Sequence, residues 1–463
     1  MISELANEAA VSQSHQLEPI SSHIDTLPYD LLSHIFIFCF LNHGSILWHS
    51  GPCARPSTKE APLLLMRVCR AWRDCALSTP LLWSGLIIRR HRRTLAHFKA
   101  AKEWLARAGS MPLSIDLSYT RFQGERVQAD AALADIFVPS RVWKAVFLNI
   151  QERSRSPCVD SILNVVLKNA PELEKFAFSV NGIEMEENLL KFGVGQAPKL
   201  TVLSLITNSC VNVSLENNQF YAIRDLRLQF LDCSHDCLDV LDRCPLVEVL
   251  HVSIKGTNRH HTREASIRTL AHLRIFIVLA QSEADVASLL DRLITPVLTD
   301  FSMDHNKTTV RPTSWPHLAR LLARSQPPLM SLSLVNLPTL EDNIIECLLH
   351  VPTLTNLSGD GWLFRSAVVE KLTPCLDPIK VPLCPNISTI KFTGVNVNLA
   401  AAPEMIRERW TISRQTLSEP ARKANLNVVA PAWIEVGRMD AVHFRECPGI
   451  QECEKEGMVI WST

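Results

Sequence analysis

The chain has 463 residues, of which 47% are hydrophobic, so it is long enough for about two or three domains or one long repeat array with a large core. Lys plus Arg equals Asp plus Glu at 47 each, so the net charge gives no reason to expect a nucleic acid or an anionic membrane as partner. With 15 glycines against 27 prolines, the composition also argues against glycine-rich phosphate-binding loops.

The first segment of the chain has no basic start, apolar core or small-residue cleavage site, so it does not read as a secretory signal peptide. Residues 1–23 are expected to be a disordered tail. The strongest apolar run, residues 31–41, is interrupted by Ser33 and His34 and is too short to span a bilayer. We therefore expect a cytoplasmic or nuclear protein without a membrane partner, in which the 14 cysteines are small buried hydrophobic residues rather than disulfides.

Apolar residues recur at helical spacing in two segments near the amino terminus. The first stripe follows Pro28 and consists of Leu31, Leu32, Ile35, Phe36 and Cys39. The second consists of Leu65, Val68, Cys69, Trp72 and Ala76, and it predicts one amphipathic helix. A third, short helix is expected to begin at Pro80, after a stop at Ser78-Thr79. Three short helices cannot bury this much apolar surface among themselves, so the surplus must contact the rest of the chain or a partner.

The same segments resemble the F-box, in the F-box-like form that is abundant in mushroom-forming fungi. The matching residues are Leu27-Pro28 with Leu31, Ile35 and Phe36, then Val68-Cys69-Arg70 with Trp72, then Pro80 with Trp83. Residues 104–118, WLARAGSMPLSIDLS, are similar to the segment that joins such F-boxes to their carboxy-terminal half. The loop at residues 42–62 is longer than in the shortest F-boxes.

The resemblance implies that residues 24–88 form an F-box-like domain that docks onto a Skp-type adaptor and thereby joins a cullin–RING ubiquitin ligase. It also implies that the chain carries no catalytic residue and no cofactor. By position, the implied adaptor contacts are Leu27, Pro28, Leu31, Leu32, Ile35, Val68, Cys69, Trp72 and Trp83. Some of these must form the core of the domain, and the sequence does not separate the two groups. Residues 89–139 are expected to hold a linker helix and an opening strand. Their RRHRR stretch (89–93) fits either a solvated helix face or a nuclear-import or nucleic-acid patch.

A short template returns throughout residues 140–400, with a proline or small residue followed by apolar residues at positions 1, 4 and 6. Its copies begin at Leu173, Leu200, Ile223, Val247, Leu273, Leu298, Leu329, Leu354 and Ile387. The spacings of 23 to 33 residues are close to the ~20–29 residues of a leucine-rich repeat, and helix-like segments lie between the copies. The copy at Leu354 breaks at Gly359, and the asparagine usual after the strand is missing from most copies.

The predicted fold class is therefore α/β, with a small amino-terminal three-helix F-box followed by an irregular leucine-rich-repeat solenoid. An α/β domain whose strands happen to be evenly spaced is the alternative. Residues 401–463 are expected to be a carboxy-terminal cap or tail.

In a solenoid, the side chain at template position 5 points away from the core because strand side chains alternate. The residues assigned to this position are Lys175, Ser204, Arg227, His251, Ile277, Ser302, Ser333 and Lys391. This mixed, mildly basic face suits a protein more than a small molecule. Arg227 and His251 are the candidate substrate-binding residues, and they are expected to lie about 5 Å apart on neighbouring strands.

No nucleotide-binding, zinc-protease, serine-hydrolase or calcium-binding motif occurs in the sequence. The best metal candidate, Cys233, His235, Cys237 and Cys244, lacks the spacing of paired zinc ligands, so no metal is expected. Two functions remain open. One is the substrate-recognition subunit of an SCF-type (Skp, cullin, F-box) E3 ubiquitin ligase that binds an unknown protein substrate. The other is a leucine-rich-repeat scaffold or interaction protein outside a ubiquitin ligase, whose amino-terminal helices cap the array.

Overall fold

The structure is a computed structural model that divides into two compact units, Met1–Ile88 with Ala100–Ile115, and Arg89–Lys99 with Asp116–Thr463. It describes residues 27–41, 53–89, 94–120, 126–151, 157–168, 170–181, 190–207, 211–214, 218–231, 234–255, 266–281, 283–305, 312–374, 383–393, 401–415, 428–437 and 444–462. The expected tail (1–23) and residues 90–93 of the RRHRR stretch lie outside these ranges, and the domain boundaries proposed above stay predictions.

The first unit is mostly helical. Its elements are α1 (Tyr29–Leu41), a 3₁₀ turn (Leu65–Arg67), α2 (Arg70–Leu77), a second 3₁₀ turn (Pro80–Trp83) and β1 (Gly85–Ile88). Along the chain, α3 (Thr94–Ala106) and β2 (Leu113–Thr120) cross from one unit to the other.

The single amphipathic helix predicted from Leu65 to Ala76 is wrong, because the chain is extended at Cys69 (φ −152°, ψ 178°). The Cys69 Sγ accepts a hydrogen bond from the backbone N–H of Trp72 at 3.4 Å, so Cys69 caps the amino terminus of α2. The predicted stripe is also not buried as one face, since Leu65 is buried while Val68 is 55% exposed.

The second unit alternates strands with helices. Its helices are α4 (Arg126–Ala134), α5 (Pro157–Lys168), α6 (Ser234–Leu241), α7 (Glu283–Asp291), α8 (His317–Ser325), α9 (Glu341–Leu349), α10 (Ser366–Leu372), α11 (Ala402–Gln415) and α12 (Ile450–Lys455). Its strands are β3 (Trp143–Gln151), β4 (Lys175–Asn181), β5 (Leu190–Gly193), β6 (Val202–Thr207), β7 (Val211–Ser214), β8 (Asp225–Leu231), β9 (Val249–Ile254), β10 (Arg268–Thr269), β11 (Ile275–Ala280), β12 (Leu293–Ile294), β13 (Asp300–His305), β14 (Ser331–Val335), β15 (Asn356–Gly359), β16 (Thr389–Phe392), β17 (Trp433–Val436) and β18 (Val459–Ser462).

One large parallel sheet dominates this unit, which confirms the predicted α/β class. From β3 onwards its order is β3-β4-β6-β8-β9-β11-β13-β14-β15-β16-β17-β18, so strand order follows chain order. Strands β5 and β7 pair with each other beside this path, and β10 pairs with β12. Parallel neighbours need a crossover between them, and the helices from α5 onwards supply many of these crossovers.

The sheet has a continuous apolar row on its buried face. The position-4 residues of successive copies pair in register as Phe176, Leu203, Leu226, Leu250, Phe276, Phe301, Leu332, Leu357 and Ile390. Each of these residues is at most 1% exposed, so template position 4 lies in the core, as the sequence predicts.

Gly359, where the template breaks, nevertheless lies in the position-6 row, paired with Leu334 and Phe392. A Cβ at Gly359 would clash with Cδ2 of Leu363 and lie 2.7 Å from the carbonyl oxygen of Leu334. Leu363, in the turn after β15, therefore occupies the space of the missing side chain.

Polar groups connect the ends of β13, β14 and β15. Asn336, which has a left-handed backbone (φ 55°), donates from Nδ2 to Oδ1 of Asp304 at 3.0 Å. Asp360 Oδ2 accepts from the backbone N–H of Asn336 at 2.7 Å, and its Oδ1 accepts from Trp362 N–H at 3.0 Å. Burial raises the pKa of Asp360, and these backbone donors partly offset that effect. The side chains of Asp304, Asn336 and Asp360 thereby connect the ends of three neighbouring strands.

The carboxy-terminal segment continues the sheet through β17 and β18. Helix α11 contributes Arg409, which is fully buried and donates to the carbonyl oxygens of Leu372, Leu383 and Cys384. Burial lowers the pKa of this guanidinium to about 10, so it stays protonated at neutral pH. The buried hydrogen bonds fix α11 against the preceding copy. Among the described residues, no helix is long and apolar enough to cross a membrane.

Candidate functional site

Helix α1 carries apolar residues on two sides. Leu32 and Phe36, four residues apart, are buried at 5% and 0% exposure. Leu31, Ile35 and Phe38 follow one another at i, i+4 and i+7, which places them on one side of the helix. They are exposed at 53%, 42% and 64%. We call these three residues the α1 stripe.

The buried side of α1 packs on α2. The rings of Phe36 and Trp72 lie 4.9 Å apart, and the Cys75 thiol approaches the carbonyl oxygen of Tyr29 at 3.8 Å. Burial raises the pKa of that thiol. These contacts, with the burial of Leu32 and Phe36, show which side of α1 faces inward, and the α1 stripe lies on the exposed side.

Trp83 belongs to the core of the first unit. It is fully buried, and its Nε1 donates to the carbonyl oxygen of Ala76 at 2.7 Å. Its ring meets Trp104 edge to face at 4.8 Å, with the guanidinium of Arg107 4.6 Å from its centroid. Residues 104 and 107 come from the segment that the sequence assigned to the connection after the F-box.

The structure separates the nine implied adaptor contacts by exposure. Leu32 and Trp83 are buried, and Leu27, Cys69 and Trp72 are half-buried. The exposed members are Pro28, Leu31, Ile35 and Val68. The Nε1 of Trp72 is buried without a hydrogen-bond partner among the described residues.

Exposed apolar residues that the sequence did not assign lie nearby in the chain. They are Tyr29, Phe38, Leu64 and Leu77, exposed at 48%, 64%, 44% and 39%. Phe38 was detectable, since it lies seven residues after Leu31. Seven of the 19 exposed large hydrophobic residues in the described ranges fall between positions 29 and 77, so this short segment is where exposed apolar surface concentrates.

The pairing corrects the predicted position-5 row. Lys175 pairs with Val202, and it is Ala177 that pairs with Ser204. Ser358 also belongs to the row, between Ser333 and Lys391. Ser204 is only 3% exposed, so it is not the surface residue that alternation alone predicts.

The structure brings Arg227 and His251 together as paired residues of β8 and β9. Arg227 is already engaged, because its Nε and Nη2 donate to the two carboxylate oxygens of Asp225 at 2.8 and 2.9 Å. Sequence reasoning missed this pair, although a two-residue spacing on a strand was its signal. The row is therefore not basic at this point.

The Nε2 of His251 is buried and has no hydrogen-bond partner in the described part of the chain. Burial and the positive charge of Arg227 lower the pKa of His251, while Asp225 acts in the opposite direction. The His251 ring is therefore uncharged at neutral pH. Because Asp225 also neutralises Arg227, Arg227 and His251 do not form the basic pair that the sequence indicated.

Aromatic side chains are exposed on the last two strands. The rings of Trp433 and Trp461 stack at 5.9 Å with an angle of 23°, and the two residues are 40% and 54% exposed. Val459, which pairs with Trp433, is 43% exposed, and Glu435 pairs with Trp461. We call Trp433, Glu435, Val459 and Trp461 the C-terminal aromatic patch. The sequence missed it because the template ends before β17.

The cysteine cluster set aside in the sequence does not form a site in the described residues. Cys233 lies outside them, while Cys237 and Cys244 are fully buried, and burial raises the pKa of the Cys244 thiol to about 12. Within the described ranges, no group of three or more His, Cys, Asp or Glu residues is placed to hold a metal ion. Of the RRHRR stretch, Arg89 forms an ion pair with Asp116.

Comparison with known proteins adds no family assignment: no protein-family model matches this chain, and no curated protein sequence is significantly similar to it.

Proposed function

We propose that this protein is the substrate-recognition subunit of an SCF-type E3 ubiquitin ligase. In this proposal, residues 24–88 are an F-box-like domain that docks a Skp-type adaptor, and the adaptor connects the chain to a cullin–RING ligase. Residues 140–400 are an irregular leucine-rich-repeat solenoid that binds a protein substrate. The observation that carries the proposal is that the α1 stripe is exposed. It lies in the segment that, by its resemblance to the F-box, is expected to contact the adaptor.

The α1 stripe has the properties of a protein interface. Full burial of a Leu, Ile or Phe side chain is worth about 1.5–3 kcal/mol, so three such residues left in water represent substantial unused apolar surface. Its i, i+4, i+7 spacing is the one by which a helix inserts into an apolar groove of a partner. The apolar character of the stripe therefore favours association with another protein.

The scaffold alternative gives the amino-terminal helices only a capping role. A cap uses its apolar residues to cover its own chain, as terminal repeats of solenoids do. Leu31, Ile35 and Phe38 instead remain exposed, which favours an external partner. The large parallel sheet, with strands in chain order, supports the repeat part of the proposal.

The test is binding of the full chain to a purified fungal Skp-type adaptor, measured by isothermal titration calorimetry. The double variant Leu31→Ser with Ile35→Ser should bind at least about tenfold more weakly, since buried apolar anchors dominate interface energy. Its free energy of unfolding should stay close to that of the unchanged protein, because both side chains are exposed.

The matched control exchanges two apolar residues of similar exposure outside the first unit, Ile267→Ser with Leu349→Ser, at 56% and 62%. It should bind the adaptor normally. If the unchanged protein does not bind the adaptor at all, the scaffold alternative is favoured. Equal weakening by both double variants would show that the α1 stripe is not the docking surface.

A further inference from the structure

The C-terminal aromatic patch combines two exposed indole rings with one carboxylate. Trp433, Glu435, Val459 and Trp461 alternate with the buried residues Ile434, Val436 and Ile460, so all four point to the same face of β17 and β18. The indole faces carry partial negative charge, and the carboxylate of Glu435, whose side chain is 19% exposed, lies beside Trp461 on the neighbouring strand.

Tryptophan rings elsewhere in the described residues bind arginine side chains. An arginine guanidinium lies 4.6 Å from the ring centroid of Trp83, 4.2 Å from that of Trp362 and 5.2 Å from that of Trp410. Within the described ranges, no guanidinium lies over Trp433 or Trp461, although these two rings are the more exposed.

We infer that the C-terminal aromatic patch binds an arginine side chain from a basic peptide segment of a partner protein. The guanidinium plane lies against the indole rings, and its positive charge is matched by Glu435. The aliphatic part of the arginine covers Val459. This inference does not depend on adaptor docking, because it rests on the carboxy-terminal strands alone.

A lysine of the same face modulates the site. Lys391 Nζ lies 2.6 Å from Oε1 of Glu435, and its side chain is 42% exposed. Lys391 therefore partly neutralises the carboxylate and competes with an incoming cation. Removal of the Lys391 charge and removal of the Glu435 charge should change binding in opposite directions.

Two other modes of recognition fit the patch less well. A nucleic acid would place its phosphates near the carboxylate of Glu435, which repels them, whereas proteins that bind single strands hold the phosphates in a positively charged groove. A peptide strand added to β18 would need the outer backbone groups of that strand, but Ile460 O already accepts a hydrogen bond from Nη2 of Arg445 at 2.9 Å. The free surface is the face of the sheet rather than its edge.

The experiment measures the fluorescence anisotropy of a labelled peptide, acetyl-Gly-Arg-Gly-Arg-Gly-amide, with the full chain. The matched probe carries citrulline in place of arginine, which keeps the shape and removes the charge. We expect the arginine peptide to bind more tightly. Trp461→Leu and Glu435→Gln should each weaken its binding about two- to fivefold, the effect of an exposed cation–π contact or a single charge pair. Lys391→Gln should strengthen it.

Trp362→Leu is the control, because its ring is already covered by Arg365 and should not contribute. Equal binding of the citrulline peptide, or tighter binding of a penta-proline peptide, would overturn the inference in favour of an uncharged occupant. Unchanged binding in Trp461→Leu would place the peptide elsewhere. Concentration-dependent dimerisation that disappears in Trp461→Leu would show that a second copy covers the patch.

Discussion

Helix α1 and strand β14 are both rich in apolar residues but use them differently. In β14, Leu332 and Leu334 are buried and alternate with Ser331 and Ser333, so one side faces the core and the other is polar. In α1, the buried pair Leu32 and Phe36 is accompanied by the exposed α1 stripe. When an element has one apolar side, packing within the chain buries it. When an element has a second apolar side that stays exposed, that side is available to a partner.

The largest expected effect tests the sheet side of this comparison. Leu332→Ala should lower the free energy of unfolding by about 2–5 kcal/mol, because it removes buried contacts and leaves a cavity. Ser333→Ala, the next residue on the opposite face, should stay within about 0.5 kcal/mol. Urea denaturation of both variants measures the difference. Equal losses would mean that the outward side of β14 is not solvent-facing.

The corresponding pair on α1 tests the helix side. Leu32→Ala should cost about 2 kcal/mol in unfolding free energy, the lower end for buried leucines, because few elements surround α1. Leu31→Ala should change stability by less than about 0.5 kcal/mol. Thermal and urea unfolding of the full chain provide the measurement. A stability loss at Leu31 as large as that at Leu32 would show that the α1 stripe packs within the protein and offers no free surface.

The spacing of apolar residues was sufficient to predict the parallel sheet and its buried rows. Template positions 1, 4 and 6 recur at a spacing typical of parallel strands with helices between them, and Leu203, Leu226 and Leu250 do pair in register. Spacing could not reveal that Leu363 fills the place of a side chain at Gly359, since the replacement comes from a turn outside the template.

Other features depend on neighbours that a one-dimensional pattern does not contain. Ser204 is buried although its position predicts exposure, and its partner on β8 is the much larger Arg227. On α1, the sequence identifies apolar residues on both sides but not which side packs on α2. That choice is made by tertiary contacts such as Phe36 with Trp72. The candidate site was therefore predictable as a segment and not as a surface.

The smallest expected effect concerns His251. This residue gives the sheet a titratable group, whereas the α1 stripe has none. Burial and Arg227 lower its pKa in the folded protein, and Asp225 only partly opposes them. The unfolded chain, with an ordinary histidine pKa of about 6.5, therefore binds the proton more readily. The stability due to neutral His251 is fully present above that value and is lost as the pH falls through it towards the lower pKa of the folded state.

His251→Gln should lose less unfolding free energy between pH 7.5 and pH 5.5 than the unchanged protein, and comparison with that variant cancels the other 15 of the 16 histidines. Asp225→Asn removes the opposing carboxylate and should steepen the loss. Because the site is only partly buried and solvent screens its charges, both differences should be small, and urea unfolding at the two pH values must resolve them. If His251→Gln shows the same pH dependence as the unchanged protein, the ring is not held in its neutral form by its neighbours.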